Sequence, residues 1–168
     1  MKHTISVIVE NKPGVLHRVS GLFSRRGYNI ESLAVGTTEN PNISRMTIAV
    51  SGDDQTLEQI TKQLYKQIDV LKVFDIPDSD AIERELVLIK VKADKKNLAE
   101  ATKIAEMFQG KVVNVTAESA IIEVSTEKEK IEDLRKLLDK FGIVEMVRTG
   151  KIALQKGEIP RNPKGGKK

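Results

Sequence analysis

The sequence predicts an α+β protein made of two tandem ferredoxin-like domains, each with an antiparallel sheet and its helices on one face. Two observations carry this prediction. Apolar residues alternate in some short segments and recur at helical spacing in others, in the order βαββαβ. The same order then occurs a second time, after the polar linker 77–80. We place the domains at 1–77 and 83–155, followed by a basic tail at 156–168.

The first repeat begins with a strand, because Ile5, Val7 and Val9 occupy alternate positions. An apolar stripe at helical spacing follows it, and Gly27 is placed to end this helix in the left-handed conformation. The segment Gly52-Asp53-Asp54 is expected to cap the second helix. The apolar stripes of the two helices in this repeat lie within 15–23 and 57–68, and the other strands are predicted at 28–37, 43–50 and 70–76.

The second repeat shows the same succession of patterns and ends in one strand or a pair of strands. Thr126 stands three residues before Glu129, which is the spacing of a capping box, so we expect a helix to start there. Gly110 and Gly142 follow the two helices. The predicted strands are 85–91, 111–116, 120–125 and 143–154, and the apolar stripes of the two helices lie within 98–108 and 131–141.

The first sheet is predicted to expose apolar side chains. Ile8, Leu33 and Val35 are expected on the face opposite the helices. A domain of about 75 residues buries a limited part of its surface, and exposed apolar sheet faces are usually covered by a partner. We therefore expect at least a homodimer.

The positive charge is confined to the end of the chain. Of 28 basic and 24 acidic residues, five basic and one acidic residue lie in 156–168, so the body 1–155 is neutral. A neutral body argues against nucleic-acid binding. The tail is expected to be a disordered, solubilising end, with a docking arm as the alternative.

Several functional classes are disfavoured by composition. The chain has no cysteine, which excludes disulfides and a thiolate nucleophile. Its two histidines, His3 and His17, lack metal-ligand spacing, and no catalytic set of residues is found, so we expect neither a metal site nor an enzyme. No apolar run approaches the roughly 20 residues of a membrane span, and the start is too short for a signal peptide. A cytoplasmic location is expected.

The segment Asn11-Lys12-Pro13-Gly14-Val15-Leu16 joins the first strand to the first helix. Amides of the first helical turn, including those of Val15 and Leu16, lack partners within the helix and favour an anion such as a carboxylate. Gly14 allows close approach of a ligand, and Asn11 offers an acceptor for an ammonium and a donor for a carboxylate. An α-amino acid presents both groups. A plain strand-to-helix turn is the alternative.

Topology suggests that two chains build this site. In a βαββαβ sheet of strand order 4-1-3-2, the second strand is an edge, and it starts at the end of the sheet away from Asn11. When this edge pairs with its own copy across a two-fold axis, residues 28–30 of the partner arrive beside the Asn11 loop. Asn29 and Ile30 of the partner subunit would complete each site.

The motif just described, followed by Arg18-Val19-Ser20-Gly21-Leu22-Phe23 and by the run 26–33, resembles an ACT domain. More narrowly, the chain resembles the regulatory subunits of acetolactate synthase, also called acetohydroxyacid synthase. Residues 35–38 and 44–47 are also similar to that family, and the resemblance spans roughly 1–160, strongest before residue 76.

This resemblance implies a non-catalytic subunit that activates a separate catalytic chain and confers feedback inhibition by valine in branched-chain amino acid synthesis. The catalytic chain would carry thiamine diphosphate, Mg²⁺ and FAD, and this chain no cofactor. The family's valine-site residues match Asn11, Gly14, Val15 and Leu16 of one chain with Asn29 and Ile30 of the other. The second domain lacks Asn-x-x-Gly at its matching turn, 93–97, and is expected to bind no such ligand.

Other functions of this fold remain as alternatives. The chain could be an ACT-type effector module that serves another enzyme or a transcription regulator. An RNA-recognition module stacks bases on sheet aromatics. Residues 43–50, the third strand, contain no aromatic residue, which disfavours that interpretation. A small hydrolase would need an activated nucleophile or water, and the sequence offers no residues for one.

Overall fold

The computed structural model describes residues 2–157 and confirms the predicted α+β class, with two antiparallel sheets and four α-helices among those residues. The first sheet has the order β2-β3-β1-β4, which is the predicted order 4-1-3-2 read from the other edge. β1 is central and pairs antiparallel with both β3 and β4. The elements of this half are β1 (Lys2–Glu10), α1 (Val15–Arg25), β2 (Ile30–Thr37), β3 (Ile43–Ser51), α2 (Asp54–Leu64) and β4 (Val70–Ile76).

The second sheet repeats this arrangement with the order β6-β7-β5-β8, and a short final strand, β9, also pairs with β5. The predicted last strand is thus a pair of strands. The elements are β5 (Ala81–Lys92), α3 (Leu98–Met107), β6 (Lys111–Val115), β7 (Ser119–Thr126), α4 (Lys128–Leu138), β8 (Ile143–Arg148) and β9 (Ile152–Gln155). No helix within residues 2–157 has the length and apolar character needed to cross a bilayer.

Two compact units emerge from the contacts within the chain. Among the described residues, the first unit contains 2–31, 35–82 and 153–157, and the second contains 32–34 and 83–152. The domain limits 1–77 and 83–155 stay predictions about the order of elements along the chain. From residue 158 onward, the predicted basic tail lies outside the described residues.

Each unit buries the face of its sheet that meets the helices. In the first unit, Ile5, Val7 and Val9 point from β1 into a core shared with Val19 and Phe23 of α1. The second unit has an equivalent core on β5 and β7, closed by α3 and α4. Each sheet carries its helices on one face because alternate residues of its strands are apolar on that face, and each helix turns its apolar stripe toward them.

The first helix ends as the sequence predicts. Gly27 has φ +71°, and the N–H of Tyr28 donates to the carbonyl of Phe23 at 3.0 Å. This six-residue hydrogen bond and the left-handed glycine form a Schellman ending, which a side chain with a Cβ would strain.

The predicted start of the last helix is wrong by one residue. α4 begins at Lys128 with Glu127 as its N-cap, and no side chain caps it. Thr126 instead pairs with Glu85 as the last residue of β7, so its backbone stays in the sheet. Strand pairing outweighs the local capping preference at this position.

One of the three residues predicted on the outer face of the first sheet lies there. Ile8 on β1 is opposite Arg45 on β3, on the face away from the core residues Ile5, Val7 and Val9. Leu33 and Val35 belong to the edge strand β2, and 45% of Val35 is exposed. Their placement on the outer face stays a prediction.

A cluster of charged side chains ties β5, α4 and β8 together in the second unit. Both oxygens of Glu85 accept hydrogen bonds from Arg148, at 3.0 Å from Nε and 2.6 Å from Nη2. Nη1 of Arg148 donates to Glu132 at 3.0 Å, and Glu132 also accepts from Arg135. Only 7% of the Glu85 side chain and 29% of the Arg148 side chain are exposed. A bidentate pair at this depth is geometrically specific.

The N-cap of α2 gives a testable dependence of stability on pH. Asp53 accepts a hydrogen bond from the N–H of Thr56 at 2.8 Å, as predicted for a cap. Bonds from the side chain and the backbone of Thr56 lower the pKa of Asp53 below its ordinary value of 3.8. A pKa lowered in the folded state stabilises the fold above the unfolded-state pKa, and this stabilisation disappears as the pH falls through the folded value.

We therefore expect the free energy of unfolding of Asp53→Asn to depend less on pH in the acid range than that of the parent chain. Asn caps helices about as well as Asp but does not titrate. The variant should be less stable than the parent chain at neutral pH, and the difference should vanish once the pH has fallen through the lowered pKa of Asp53. Urea unfolding of both chains across this range measures it. A constant difference at every pH would contradict the assignment of Asp53 as the titrating cap.

Candidate functional site

The loop after β1 is held in place by the turn between β2 and β3. The N–H of Asn11 donates to the carbonyl of Asn42 at 2.8 Å, and its side-chain Nδ2 donates to the carbonyl of Pro41 at 2.9 Å. Since one N–H of the amide is committed in this way, the Oδ1 oxygen is left to accept a hydrogen bond. Asn11 is exposed at this end of the sheet.

Gly14 provides the geometry that a ligand at a helix start needs. It is the N-cap of α1 with φ +82°, a conformation that side chains with a Cβ rarely adopt. Its carbonyl accepts the first helical hydrogen bond, from the N–H of Arg18 at 3.0 Å. No acidic residue occupies the first turn of α1. The exposed backbone of Gly14 therefore opens onto the positive end of the helix dipole.

The first-turn amides are only partly available, which corrects the sequence-based expectation. The N–H of Val15 donates to the carbonyl of Lys12 at 3.4 Å. The N–H groups of Leu16 and His17 have no hydrogen-bond acceptor within residues 2–157. The two side chains also differ, because Val15 is 3% exposed in the core whereas Leu16 is 44% exposed. Leu16 can contact a ligand with both its backbone and its side chain, whereas the side chain of Val15 is buried in the core.

Arg18 is a functional candidate that sequence reasoning missed. Its Nε donates to Asp69 Oδ2 at 2.9 Å, and its Nη1 lies 3.0 Å from the position that a Cβ on Gly14 would take. The carbonyl of Asp69 in turn accepts from the N–H of Glu10 at 2.9 Å. Arg18 thus adds a cation at the mouth of the helix start. The sequence feature that could have indicated Arg18 is its position one helical turn after Gly14.

Lys12 is a second cation beside the loop, and it is ion-paired, as Arg18 is to Asp69. Lys12 forms an ion pair with Glu10, and this hydrogen bond raises the pKa of Lys12. The pair is at the surface, so it contributes little to stability. Arg18 differs from Lys12 in its distance, because its Nη1 is the nearest cationic atom to the position of a Cβ on Gly14.

Asn29 and Ile30 lie at the other end of the same sheet in one chain. The Oγ of Ser51, at the end of β3, donates to Glu31, next to Ile30, whereas Asn11 contacts the opposite end of that hairpin. The nine-residue strand β1 separates these ends by roughly 26 Å. One chain therefore cannot bring Asn29 and Gly14 together. β2 is an edge strand, as the two-chain hypothesis requires.

The matching turn of the second domain satisfies its own amides. Asp94 Oδ1 accepts from the N–H of Lys96 at 2.8 Å and of Asn97 at 3.1 Å. Asn97 Oδ1 accepts from the N–H of Asp94 at 2.8 Å. The carboxylate of Asp94 therefore lies just before the start of α3 and disfavours an anionic ligand there. That this domain binds no amino acid in the same manner stays a prediction.

Side chains that could hold a metal are not grouped in the described part of the chain. No cluster of three or more His, Asp or Glu residues with suitable geometry is found in residues 2–157. The candidate site is thus made of backbone N–H groups, one amide side chain and one guanidinium. This chemistry suits recognition of a carboxylate and an ammonium.

Family models match both halves of the chain. The family described as "AHAS small subunit-like ACT domain" matches residues 5–72. The family described as "Small subunit of acetolactate synthase" matches residues 84–157.

Similar proteins match over nearly the whole length. The chain is 51% identical over 157 residues to the "Probable acetolactate synthase small subunit" of Archaeoglobus fulgidus, covering 94% of this chain and 98% of the relative. It is 50% identical over 155 residues to the acetolactate synthase small subunit of Mycolicibacterium smegmatis, covering 92% and 91%. A crystal structure of the small subunit from Thermotoga maritima is similar with a TM-score of 0.88 at 42% identity, covering 95% and 99%.

These matches extend over both sheets and agree with the resemblance drawn from the Asn11 loop and the residues after it. They confirm the prediction of a regulatory, non-catalytic subunit with an ACT domain in its first half. The chain belongs to the family of acetolactate synthase small subunits.

Proposed function

We propose that this chain activates the catalytic subunit of acetolactate synthase and makes it sensitive to valine. The observation that carries the proposal is the start of α1, where Gly14 exposes its backbone beside the unpaired N–H groups of Leu16 and His17 and the guanidinium of Arg18. Backbone donors at a helix start bind carboxylates well.

The contacts at this site give the amino acid a definite orientation. Its carboxylate accepts hydrogen bonds from the N–H groups of Leu16 and His17, and its ammonium donates to Oδ1 of Asn11. Leu16 supplies an apolar wall from the same chain. Asn29 and Ile30 of the partner subunit close the pocket when two β2 edges pair.

Valine regulates the catalytic subunit if it binds more tightly to one arrangement of the paired chains than to another. A ligand shifts such an equilibrium only by its difference in affinity for the two states, and couplings of about 1–3 kcal/mol change activity roughly 5–150-fold.

The catalytic partner, and not this chain, is proposed to carry thiamine diphosphate, Mg²⁺ and FAD. An ACT module that serves a different enzyme is the weaker alternative, because the relatives are named as acetolactate synthase small subunits.

The shared pocket can be tested by mixing two defective chains. Gly14→Asp and Asn29→Ala should each abolish or strongly weaken valine binding in the homodimer. In a mixed dimer, one site contains both changes, and the other contains neither. Random exchange should therefore restore about a quarter of the parent valine capacity, since about half of the dimers are mixed and each has one intact site.

Calorimetry with valine on the two homodimers and on their equimolar mixture measures this recovery. Catalytic-subunit activity, assayed with each form and with or without valine, tests activation and feedback in the same preparation. No recovery in a mixture shown to exchange subunits would refute a pocket shared between chains. Loss of binding without any effect on the enzyme would refute the regulatory role.

A further inference from the structure

A cavity of about 430 Å³ opens on the outer face of the first sheet, opposite its helices. All its lining residues belong to the first unit. Apolar side chains, including Leu71, Phe74 and Leu154, form most of the wall. The two charged side chains that line it, Arg45 and Lys72, are both cationic, and none of the described lining residues carries a carboxylate. A volume of this size is typical of small-molecule sites.

The strand register sets the two cations on either side of one apolar residue. Ile8 of β1 lies opposite Arg45 on β3 and opposite Lys72 on β4. Neighbouring side chains on one sheet face are about 5 Å apart, so the Cβ atoms of Arg45 and Lys72 are about 10 Å apart. An anion seated over Ile8 would lie within reach of both side chains.

Arg45 lacks the partners that a guanidinium in such surroundings normally has. Nη2 donates to the carbonyl of Ala153 at 3.0 Å, but Nε is buried without an acceptor among the described residues. Burial lowers the pKa of Arg45, although an arginine stays protonated in proteins. Buried donors are nearly always paired, so an unpaired one requires an explanation. Ser6 Oγ, the other buried side-chain atom without a partner in residues 2–157, lies on the same sheet face.

We infer that this cavity is a second ligand site, for a small carboxylic acid with an apolar body. The carboxylate would accept hydrogen bonds from Arg45, and the apolar body would rest against Leu71, Phe74 and Leu154. Inorganic phosphate would leave the apolar wall unused. An amino acid would bring an ammonium for which the lining supplies no carboxylate. The site is thus chemically different from the one at Gly14.

Hexanoate is a suitable probe, and nuclear magnetic resonance of the full-length ¹⁵N-labelled chain is the measurement. Hexanoate should shift the Nε–H signal of Arg45 and the backbone amides of Ile8 and Lys72. Hexanamide has the same apolar body without the charge, and it should bind about tenfold more weakly or worse, as should inorganic phosphate. Equal binding of hexanamide would overturn the role of Arg45, and equal binding of phosphate would overturn the class of ligand.

Three substitutions separate the site from general effects. Arg45→Gln should weaken hexanoate binding about tenfold or more, whereas Arg25→Gln, at an exposed arginine on α1, should leave it unchanged. Should Arg45→Gln fail to fold, Leu71→Glu tests the site in its place, because it adds a carboxylate at the exposed rim and should abolish binding. A chain shortened after Gly157 keeps every lining residue and should bind hexanoate at least as well. Unchanged binding in Leu71→Glu, or shifts confined to another surface, would overturn the inference.

Discussion

Gly14→Asp is expected to abolish measurable valine binding, a loss of about 100-fold or more, and to leave an active holoenzyme that valine no longer inhibits. The new carboxylate would stand where the carboxylate of the ligand is proposed to bind. It would also meet Nη1 of Arg18, which lies 3.0 Å from the position of its Cβ. Calorimetry of the full-length chain with valine measures the effect directly.

The matched control for this variant is Gly14→Asn. Asn has nearly the same shape as Asp and tolerates the left-handed conformation that φ +82° requires, but it carries no charge. It should lose less affinity than Gly14→Asp. The difference between the two variants isolates electrostatic repulsion from strain and bulk. Valine affinity equal to that of the parent chain in Gly14→Asp would show that the site is elsewhere.

Arg148→Ala is expected to lower the free energy of unfolding by about 3–5 kcal/mol. The variant leaves the buried carboxylate of Glu85 without its two hydrogen-bond donors. Removing one partner of a buried ion pair is costly because the other charge remains out of water. Urea unfolding gives the free energy. Hydrogen exchange at Val87 and Ile89 on β5 shows that the loss is in the second unit.

Two controls distinguish this effect from the loss of a surface charge. Arg135→Ala removes a more exposed donor to Glu132, which keeps its bond to Arg148, and should cost less than about 1 kcal/mol. The double change Arg148→Met with Glu85→Leu should recover most of the loss, because no buried charge is left. If Arg148→Ala costs no more than Arg135→Ala, the buried pair is not an important source of stability.

Periodicity and turn residues were sufficient to predict the order of elements, because these signals are local. The stripe of α1, the glycine at its end and the cap at Asp53 all act within a few residues of the chain. Thr126 shows the limit of local signals. Its spacing to Glu129 suits a cap, yet pairing with Glu85, far away in sequence, keeps it in a strand.

Features that depend on distant pairing could not be predicted. Arg18 and Asp69 are 51 residues apart, and only the folded chain brings them together beside Gly14. The motif therefore indicated where a ligand would bind but not which side chain would supply its cation.

The tether between Asn11 and the β2–β3 turn bears on the handedness of the ligand. Because Nδ2 is held by the carbonyl of Pro41, the Oδ1 oxygen would be left for the ammonium of the proposed ligand, and the amides after Gly14 would be left for its carboxylate. Ile30 of the partner subunit would receive the side chain, which makes three fixed contacts around one α-carbon. A mirror-image amino acid can match only two of them at once. The proposed pocket should therefore discriminate between enantiomers.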